Sequence, residues 1–343
     1  MCGIVGFTGQ NDTKSLNKMM SSIFHRGPDD DAKHETENFS IGFRRLSIID
    51  LSKNIYPLQN ETKTISVFLN GEIYNYKDVK KWLTERGHSF ITNSDTEVIA
   101  HGYEEWGEEI IQKLRGMFVI VLYDKVKDQL LIARDRLGIK PIYYTEFQNR
   151  VIFASEIKAL FAGFKINREP DDQSVYQFLS SRVHDIDKNT FFKNVKRLLP
   201  GHIMIIDSSS NYRIEKYWYP MFNAQFASTK TDQAYSEEFR EIFGEAVKMH
   251  MISDVPVGVT LSGGLDSSGI VSLASDEWKE VNKGKPFYSF SAIHPGETVN
   301  EEEYIDHVVA KTGVTPIKVI PDVEKFWEDL DTWTYFQEEP VIS

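Results

Sequence analysis

The 343-residue sequence predicts two domains of different class: an α+β domain first, then an α/β domain of the doubly wound, parallel-sheet kind. Three observations predict it. β-rich stretches crowd the first two hundred residues, at 41–49, 64–70, 116–124, 128–134 and 151–154. A polar stretch rich in Ser, Thr, Asn and Gln then fills 205–235 and reads as a connection. Beyond it, β-rich runs at 287–293 and 315–320 alternate with helical patterns at 268–276, 302–312 and 323–335, the order that builds a parallel sheet with its ligand at the strands' C-terminal ends. The expected boundaries are a first domain over 2–206, a linker over 207–232 and a second domain over 233–343, opening with a helix at about 233–250.

Composition narrows the function. With 41% hydrophobic and 26% charged residues the chain is globular, not disordered. A formal net charge of −12 repels phosphate backbones and anionic lipid, so neither nucleic acid nor a membrane is an expected partner, and small-molecule substrates are. One cysteine forms no internal disulfide, no signal-like segment opens the chain, and no apolar run approaches the ~20 residues of a membrane span. A cytoplasmic protein is expected, with a homodimer left open.

The chemistry-bearing elements follow in order. "MCGIVGFTG" places the only cysteine at position 2. Cys2 can be a small buried hydrophobe; acylation is disfavoured because no Met-Gly start or juxtamembrane segment accompanies it. A third reading uses the position itself. Removal of Met1 leaves an α-amine, of pKa about 8, within reach of the thiol of the same residue, where it can act as general base. "HR" at 25–26, followed by Gly27-Pro28-Asp29, reads as a shaped loop. In "GFRRLSIIDL" (42–51), strand alternation sends Arg44 and Arg45 to opposite faces, so one of them enters a pocket. "TISVFLNGEIYNY" (64–76) is a strand ending in Asn-Gly, a turn signal. In the functional reading, the Asn70 amide and the Gly71 N–H instead point at one oxygen and make an oxyanion hole. "FITNSDTEVIAHGYEEWG" (90–107) opens a helix with a cap-like Ser-Asp-Thr, so Asp95 is either a cap or a ligand.

In the second domain, "VPVGVTLSGGLDSSGIVSLAS" (255–275) is a β-branched run, two glycines and a helix. Such a unit is often only α/β packing, and it lacks the Gly-Lys-Ser/Thr of a Walker loop. After Leu261, however, Ser262, Gly263 and Gly264 leave backbone N–H groups free to face phosphate, with Ser267 and Ser268 at the helix N-terminus, whose dipole favours anions. Asp266 would repel such a ligand unless Mg²⁺ bridges the two.

"MCGIVGF", "HRGPDD" (25–30), "RRLSIID" (44–50), "NGEIYNY" (70–76), "SDTEVI" (94–99) and "RDRLGIKPIYY" (134–144) stand in the order found in class II glutamine amidotransferases, and their wording resembles the glutamine-hydrolysing asparagine synthetases. "SGGLDSS" (262–268) is similar to the pyrophosphate loop of the ATP pyrophosphatase domain in those synthetases. The resemblance implies an N-terminal-nucleophile αββα sandwich in which Cys2 attacks the side-chain amide of glutamine and Asn70 with Gly71 stabilises the oxyanion. It places Arg45, beside Leu46, Ser47, Ile48 and Ile49, on the glutamine α-carboxylate, with Glu72 and Asp95 near the α-ammonium. Arg44 faces elsewhere, and the His25–Arg26 loop has a gating or positioning role. In the second domain it implies that the loop from Leu261 to Ser268 holds ATP, that Asp266 meets Mg²⁺, and that the backbone near Ala292 meets adenine. Ammonia from glutamine then amidates an aspartate activated as its AMP ester. A Gly-Asp-Glu loop and a helical region, expected after "EEPVIS", do not occur before Ser343, so about half of this second domain is read. The alternatives are an amidotransferase acting on another carboxylate, a glutaminase-only fragment and a non-catalytic fragment. The set Cys2, Arg45, Asn70-Gly71 and Asp95 argues against the last.

Overall fold

The computed structural model describes residues 1–52, 56–220, 230–282 and 284–341. Contacts divide the chain into Met1–Met221 with Phe336–Ser343, and Phe222–Tyr335.

The first unit opens with β1 (Gly3–Thr8), α1 (Thr13–Ser22), β2 (Asp30–Glu35) and β3 (Phe39–Arg45). β4 (Leu58–Gln59), β5 (Ile65–Ile73), the helices α2 (Tyr76–Thr84), α3 (Glu97–Trp106) and α4 (Ile110–Lys113), then β6 (Gly116–Asp124) and β7 (Gln129–Arg134) follow. β8 (Tyr143–Phe147), β9 (Arg150–Ala154), α5 (Ile157–Gly163), α6 (Asp172–Ser181), β10 (Lys196–Arg197), β11 (His202–Asp207) and β12 (Tyr212–Lys216) complete it. The strands form two antiparallel six-stranded sheets, ordered β10-β8-β9-β1-β3-β2 and β12-β11-β7-β6-β5-β4.

Three apolar layers hold the sheets. Phe39, Phe43, Phe68, Val121, Phe153 and Met204 fill the space between them. On the outer face of the first sheet, Met19, Met20 and Leu160 of α1 and α5 cover Val5, Phe7 and Ile152. On the outer face of the second, Val79, Leu83, Ile99 and Ile110 of α2, α3 and α4 cover Val67, Leu69 and Ile120. The result is the αββα arrangement. A strand with one face on the other sheet and one on helices is apolar throughout, which is why β6 reads "GMFVIVLYD" and is buried from Phe118 onward, whereas the edge strand β2, "DDAKHE", alternates. Phe39, Phe43, Phe68 and Phe153 are all but inaccessible to solvent, and each contributes roughly 1.5–3 kcal/mol by transfer from water.

The second unit contains α7 (Asp232–His250), β13 (Gly258–Thr260), α8 (Leu265–Val281), β14 (Tyr288–Ala292), α9 (Glu302–Thr312), β15 (Thr315–Val319), α10 (Val323–Glu328) and most of α11 (Leu330–Gln337). Its three strands are parallel, in the order β13-β14-β15. Val247, Val271, Ala274 and Ile305 bring α7, α8 and α9 onto one face. The other face is bare among the described residues. "YSFSA" buries Ser289 and Ser291 on the helix side and turns Tyr288 and Phe290 outward, beside the exposed Ile317 and Val319.

Three expectations change. The linker expected from 207 starts on the last residue of β11 and takes in β12, which pairs antiparallel with β11 and extends the second sheet rather than leaving it; residues 221–229 of that linker lie outside the described residues. The helix expected over 323–335 is two helices, α10 capped by the Asp322 carboxylate on the N–H groups of Glu324 and Lys325, and α11 beginning after Asp329. The end of the expected second domain packs on the first unit: the Glu338 carboxylate accepts the N–H groups of Ile157 and Lys158, and Glu339 accepts the Phe191 N–H and pairs with Arg197. No helix among the described residues is long and apolar enough to cross a membrane.

Candidate active site

The ends of β1, β3 and β5 and the turn before α3 meet at one cleft of about 460 Å³, open to solvent. β1 places Cys2 at its start, and antiparallel pairing of Gly3 with Arg44 brings the end of β3 alongside. The Cys2 thiol donates to the Leu46 carbonyl at 3.5 Å and accepts the Leu46 N–H at 3.4 Å. Burial pushes its pKa up, against the pull of that N–H, so the resting thiol is protonated and needs a base. Met1 also lines the cleft, where burial holds the chain's α-amine below its ordinary value. Burial thus favours the neutral form of an amine at this point of the chain, the form that accepts a proton.

Alternation separates the two arginines as expected. Arg44 turns to the Met20 carbonyl and the Phe24 ring, whereas Arg45 lines the cleft. Arg45 is held over the Tyr56 ring, with two N–H groups on the Ser52 and Asp50 carbonyls. Among the described residues two of its five donors are thus used, and the guanidinium is oriented without being saturated. Leu46, Ile48 and Ile49 line the cleft beside it. Ser47 does not line it: its N–H is taken by the Asp29 carboxylate, which ties this loop to the His25–Asp29 segment.

The Asn-Gly pair is not a turn. β5 runs on through Asn70, Gly71 and Glu72 to Ile73, paired with β6. The cross-strand partner supplies the hydrogen bonds that a turn would otherwise make, and glycine serves the strand by having no side chain. Its φ is +151°, and a Cβ there would stand 2.0 Å from the Met117 carbonyl oxygen. Asn70 is fully buried, with Nδ2 3.5 Å from Ser155 Oγ and Oδ1 without a partner among the described residues.

Asp95 is not the helix cap either. Thr96 occupies that position, and Asp95 Oδ2 accepts the Ile73 N–H at 2.8 Å, tying the turn before α3 to the end of β5. Burial, reinforced by Glu72 and opposed by the Ile73 N–H, pushes its pKa up to about 7. Glu72 lines the same cleft. Sequence reasoning missed Tyr56 and Lys140, which also line it. Lys140 lies inside the quoted "RDRLGIKPIYY" motif, and its side chain is buried against the cleft, which lowers its pKa. Behind Cys2, Arg26 Nε donates to the Cys2 carbonyl at 2.9 Å, and the Glu156 carboxylate holds both Arg26 and His25.

In the second unit, Leu261 is buried at the end of β13, Ser262–Gly264 form the loop, and Asp266, Ser267 and Ser268 occupy the first turn of α8. Ala292 ends the neighbouring strand β14, so loop and Ala292 lie at the C-terminal ends of adjacent parallel strands. Contrary to the expectation from sequence, the loop N–H groups are not all free: Ser262 N–H donates to Ser267 Oγ at 3.2 Å and Gly264 N–H reaches Ser262 Oγ at 3.4 Å, because the serine hydroxyls fold back onto the loop. Gly263 has φ +85° and packs against Glu301 and Tyr304.

A family model described as "Glutamine amidotransferase domain" matches residues 1–218, and one described as "Asparagine synthase" matches 238–343. Over the whole chain the sequence is 34% identical to "Asparagine synthetase [glutamine-hydrolyzing] 1" of Bacillus subtilis, and over 79% of the chain it is 36% identical to "Amidase chry2" of Gibberella zeae. The chain spans 54% and 40% of those relatives' lengths. A solved glutamine phosphoribosylpyrophosphate amidotransferase from Bacillus subtilis shares the fold, with TM-score 0.51 and 14% identity over 95% of this chain and 92% of that one.

Proposed function

The chain belongs to the glutamine amidotransferase family, and on that premise we propose that its first unit hydrolyses glutamine to glutamate and ammonia with Cys2 as nucleophile. The observation that carries the reading is the single cleft walled by Cys2, Arg45, Asn70-Gly71 and Asp95. With Met1 removed, the α-amine of Cys2 takes the thiol proton and the sulfur attacks the side-chain amide carbon. Charge gathers on the carbonyl oxygen, where the Gly71 N–H and the Asn70 amide act as donors. The Asn70 orientation follows from its neighbour. Ser155 Oγ accepts the Ile4 N–H at 2.9 Å, so its own proton is available. An Asn70 amide turned end for end pairs the orphaned Oδ1 with that proton and frees its N–H groups for the cleft. Collapse of the intermediate expels ammonia, which leaves with the proton the amine had taken, and water hydrolyses the thioester to glutamate and regenerates Cys2. Arg45 binds the α-carboxylate, and Asp95 with Glu72 binds the α-ammonium.

For the second unit, the asparagine synthase match supports ATP binding at "SGGLDSS" and Ala292, and ammonia transfer to an aspartate activated as its AMP ester. Asp266 is exposed in the first turn of α8, a single carboxylate beside an anion site, which suits Mg²⁺ completed by phosphate oxygens. A cytoplasmic setting and a homodimer belong to the same reading. The glutaminase step is tested by glutamate release: Cys2→Ala should abolish it, and a tag that retains Met1 should silence it with the thiol intact. Hydrolysis by Cys2→Ala would overturn the assignment. The ligase step is tested in the full-length protein by asparagine, AMP and pyrophosphate formed in equal amounts from glutamine, aspartate, ATP and Mg²⁺; glutamate alone would overturn it.

A further inference from the structure

We propose that Glu61, His88, His101 and Glu104 bind a divalent transition-metal ion, zinc by donor chemistry, at a structural site of the first unit separate from the glutamine cleft. One ligand atom from each of the four lies within 4.8 Å of all the others. They come from three separate segments: Glu61 from the turn before β5, His88 from the chain after α2, and His101 and Glu104 from one face of α3. The Glu61 carboxylate faces both rings, 2.8 Å from His101 Nδ1 and 3.3 Å from His88 Nδ1.

The outer groups are arranged as around a metal. His101 Nε2 stands 3.4 Å from the Glu97 carboxylate and His88 Nε2 stands 3.6 Å from that of Glu105, so each ring turns one nitrogen inward and the other towards a carboxylate. The inward ligands are themselves held: Asn60 Nδ2 donates to Glu104 and the Ser89 N–H donates to Glu61, both at 2.8 Å. This is the outer shell that fixes imidazole and carboxylate ligands. His101 is 1% exposed, packed on the Phe90 ring, while Glu61 and Glu104 are exposed and leave an entry path.

Charge gives an independent reason. Glu61, Glu97, Glu104 and Glu105 surround the two imidazoles, and among the described residues Arg86, on Glu105, is the cation that pairs with this group. Neutral imidazoles leave an excess of three negative charges, and protonating both still leaves one; a divalent ion removes most of that excess with the imidazoles neutral. Zinc bonds of ~2.0–2.1 Å in a tetrahedron place ligand atoms roughly 3.3 Å apart, so the four donors, already within 4.8 Å of one another, close on the ion by small side-chain adjustments. Two imidazole nitrogens disfavour Mg²⁺ and Ca²⁺, which take oxygen. An ion here would pin α3, whose first turn follows Asp95, to the start of β5.

The test uses metal-stripped chain carrying Cys2→Ala, so that the active-site thiol is not a competing ligand. Zinc is titrated against a chromogenic chelator, and cobalt(II) binding is followed by visible absorption. One zinc per chain is expected, with intense four-coordinate cobalt bands and a raised melting temperature. Glu105→Gln should weaken zinc about 10-fold and His88→Ala by more than 100-fold. Because His101 is fully buried, His88, whose side chain keeps 12% exposure, and the exposed Glu104 are the sites varied, with circular dichroism verifying the fold. Absence of stoichiometric uptake by the folded protein, or uptake unchanged in the double variant His88→Ala/Glu104→Ala, would overturn the proposal.

Discussion

Asp95 makes a quantitative prediction about glutamine binding. Its carboxyl is buried and its pKa is pushed up to about 7 from an ordinary 3.8. Below that value it is neutral and attracts an ammonium group weakly; above it the carboxylate pairs with the ammonium. With a pKa of about 7 the ionised fraction is about 9% at pH 6 and about 91% at pH 8, so the glutamine Kd should fall about tenfold over that interval. A carboxyl at its ordinary value would be about 99% ionised already at pH 6, and Kd would be flat. Linkage adds a second readout: binding at pH 6 should release about 0.9 proton per glutamine, falling to about 0.1 at pH 8. The assay is calorimetric titration of the Cys2→Ala protein, which does not turn over, in buffers of different ionisation enthalpy. Asp95→Asn separates this effect from the terminal amine, whose pKa burial also lowers: the variant should bind weakly at pH 8 and lose the proton release at pH 6. A Kd that is flat from pH 6 to 8 with no proton release would refute the placement of Asp95 on the ammonium.

Asn70→Ala should lower kcat for glutamine hydrolysis ~10²–10³-fold with little change in KM, measured by glutamate release. Ser155→Ala should lower kcat about tenfold at unchanged KM, because the group that orients Asn70 is lost; an effect on KM alone would contradict the amide orientation. Gly71→Ala should destabilise the first unit by about 3 kcal/mol or more, since its Cβ would meet the Met117 carbonyl oxygen at a φ foreign to alanine, and urea unfolding will read the shift.

Sequence alone determined what depends on neighbours along the chain. β-rich runs and helical periodicity located β5, β6, β7 and α9 closely and the middle of α8, and ordered motifs named Cys2, Arg45, Asn70, Gly71 and Asp95, which the structure places around one cleft. Strand alternation sufficed to separate Arg44 from Arg45, because side-chain direction in a strand is a local property. Asn-Gly misled, since its turn preference is weak beside the nine-residue pairing of β5 with β6. Asp95 looked like a cap because capping patterns are read from adjacent residues, whereas its hydrogen bond goes to Ile73, twenty-two positions away. Only the tertiary structure decided the rest. Packing made Tyr56 and Lys140, both in connections between strands, walls of the cleft, and it buried Asp95 far enough to move its ionisation into the neutral range. Packing likewise gathered Glu61, His88, His101 and Glu104 from a turn, a loop and a helix. Burial and convergence are sums over residues distant in sequence, and no spacing along the chain carries them.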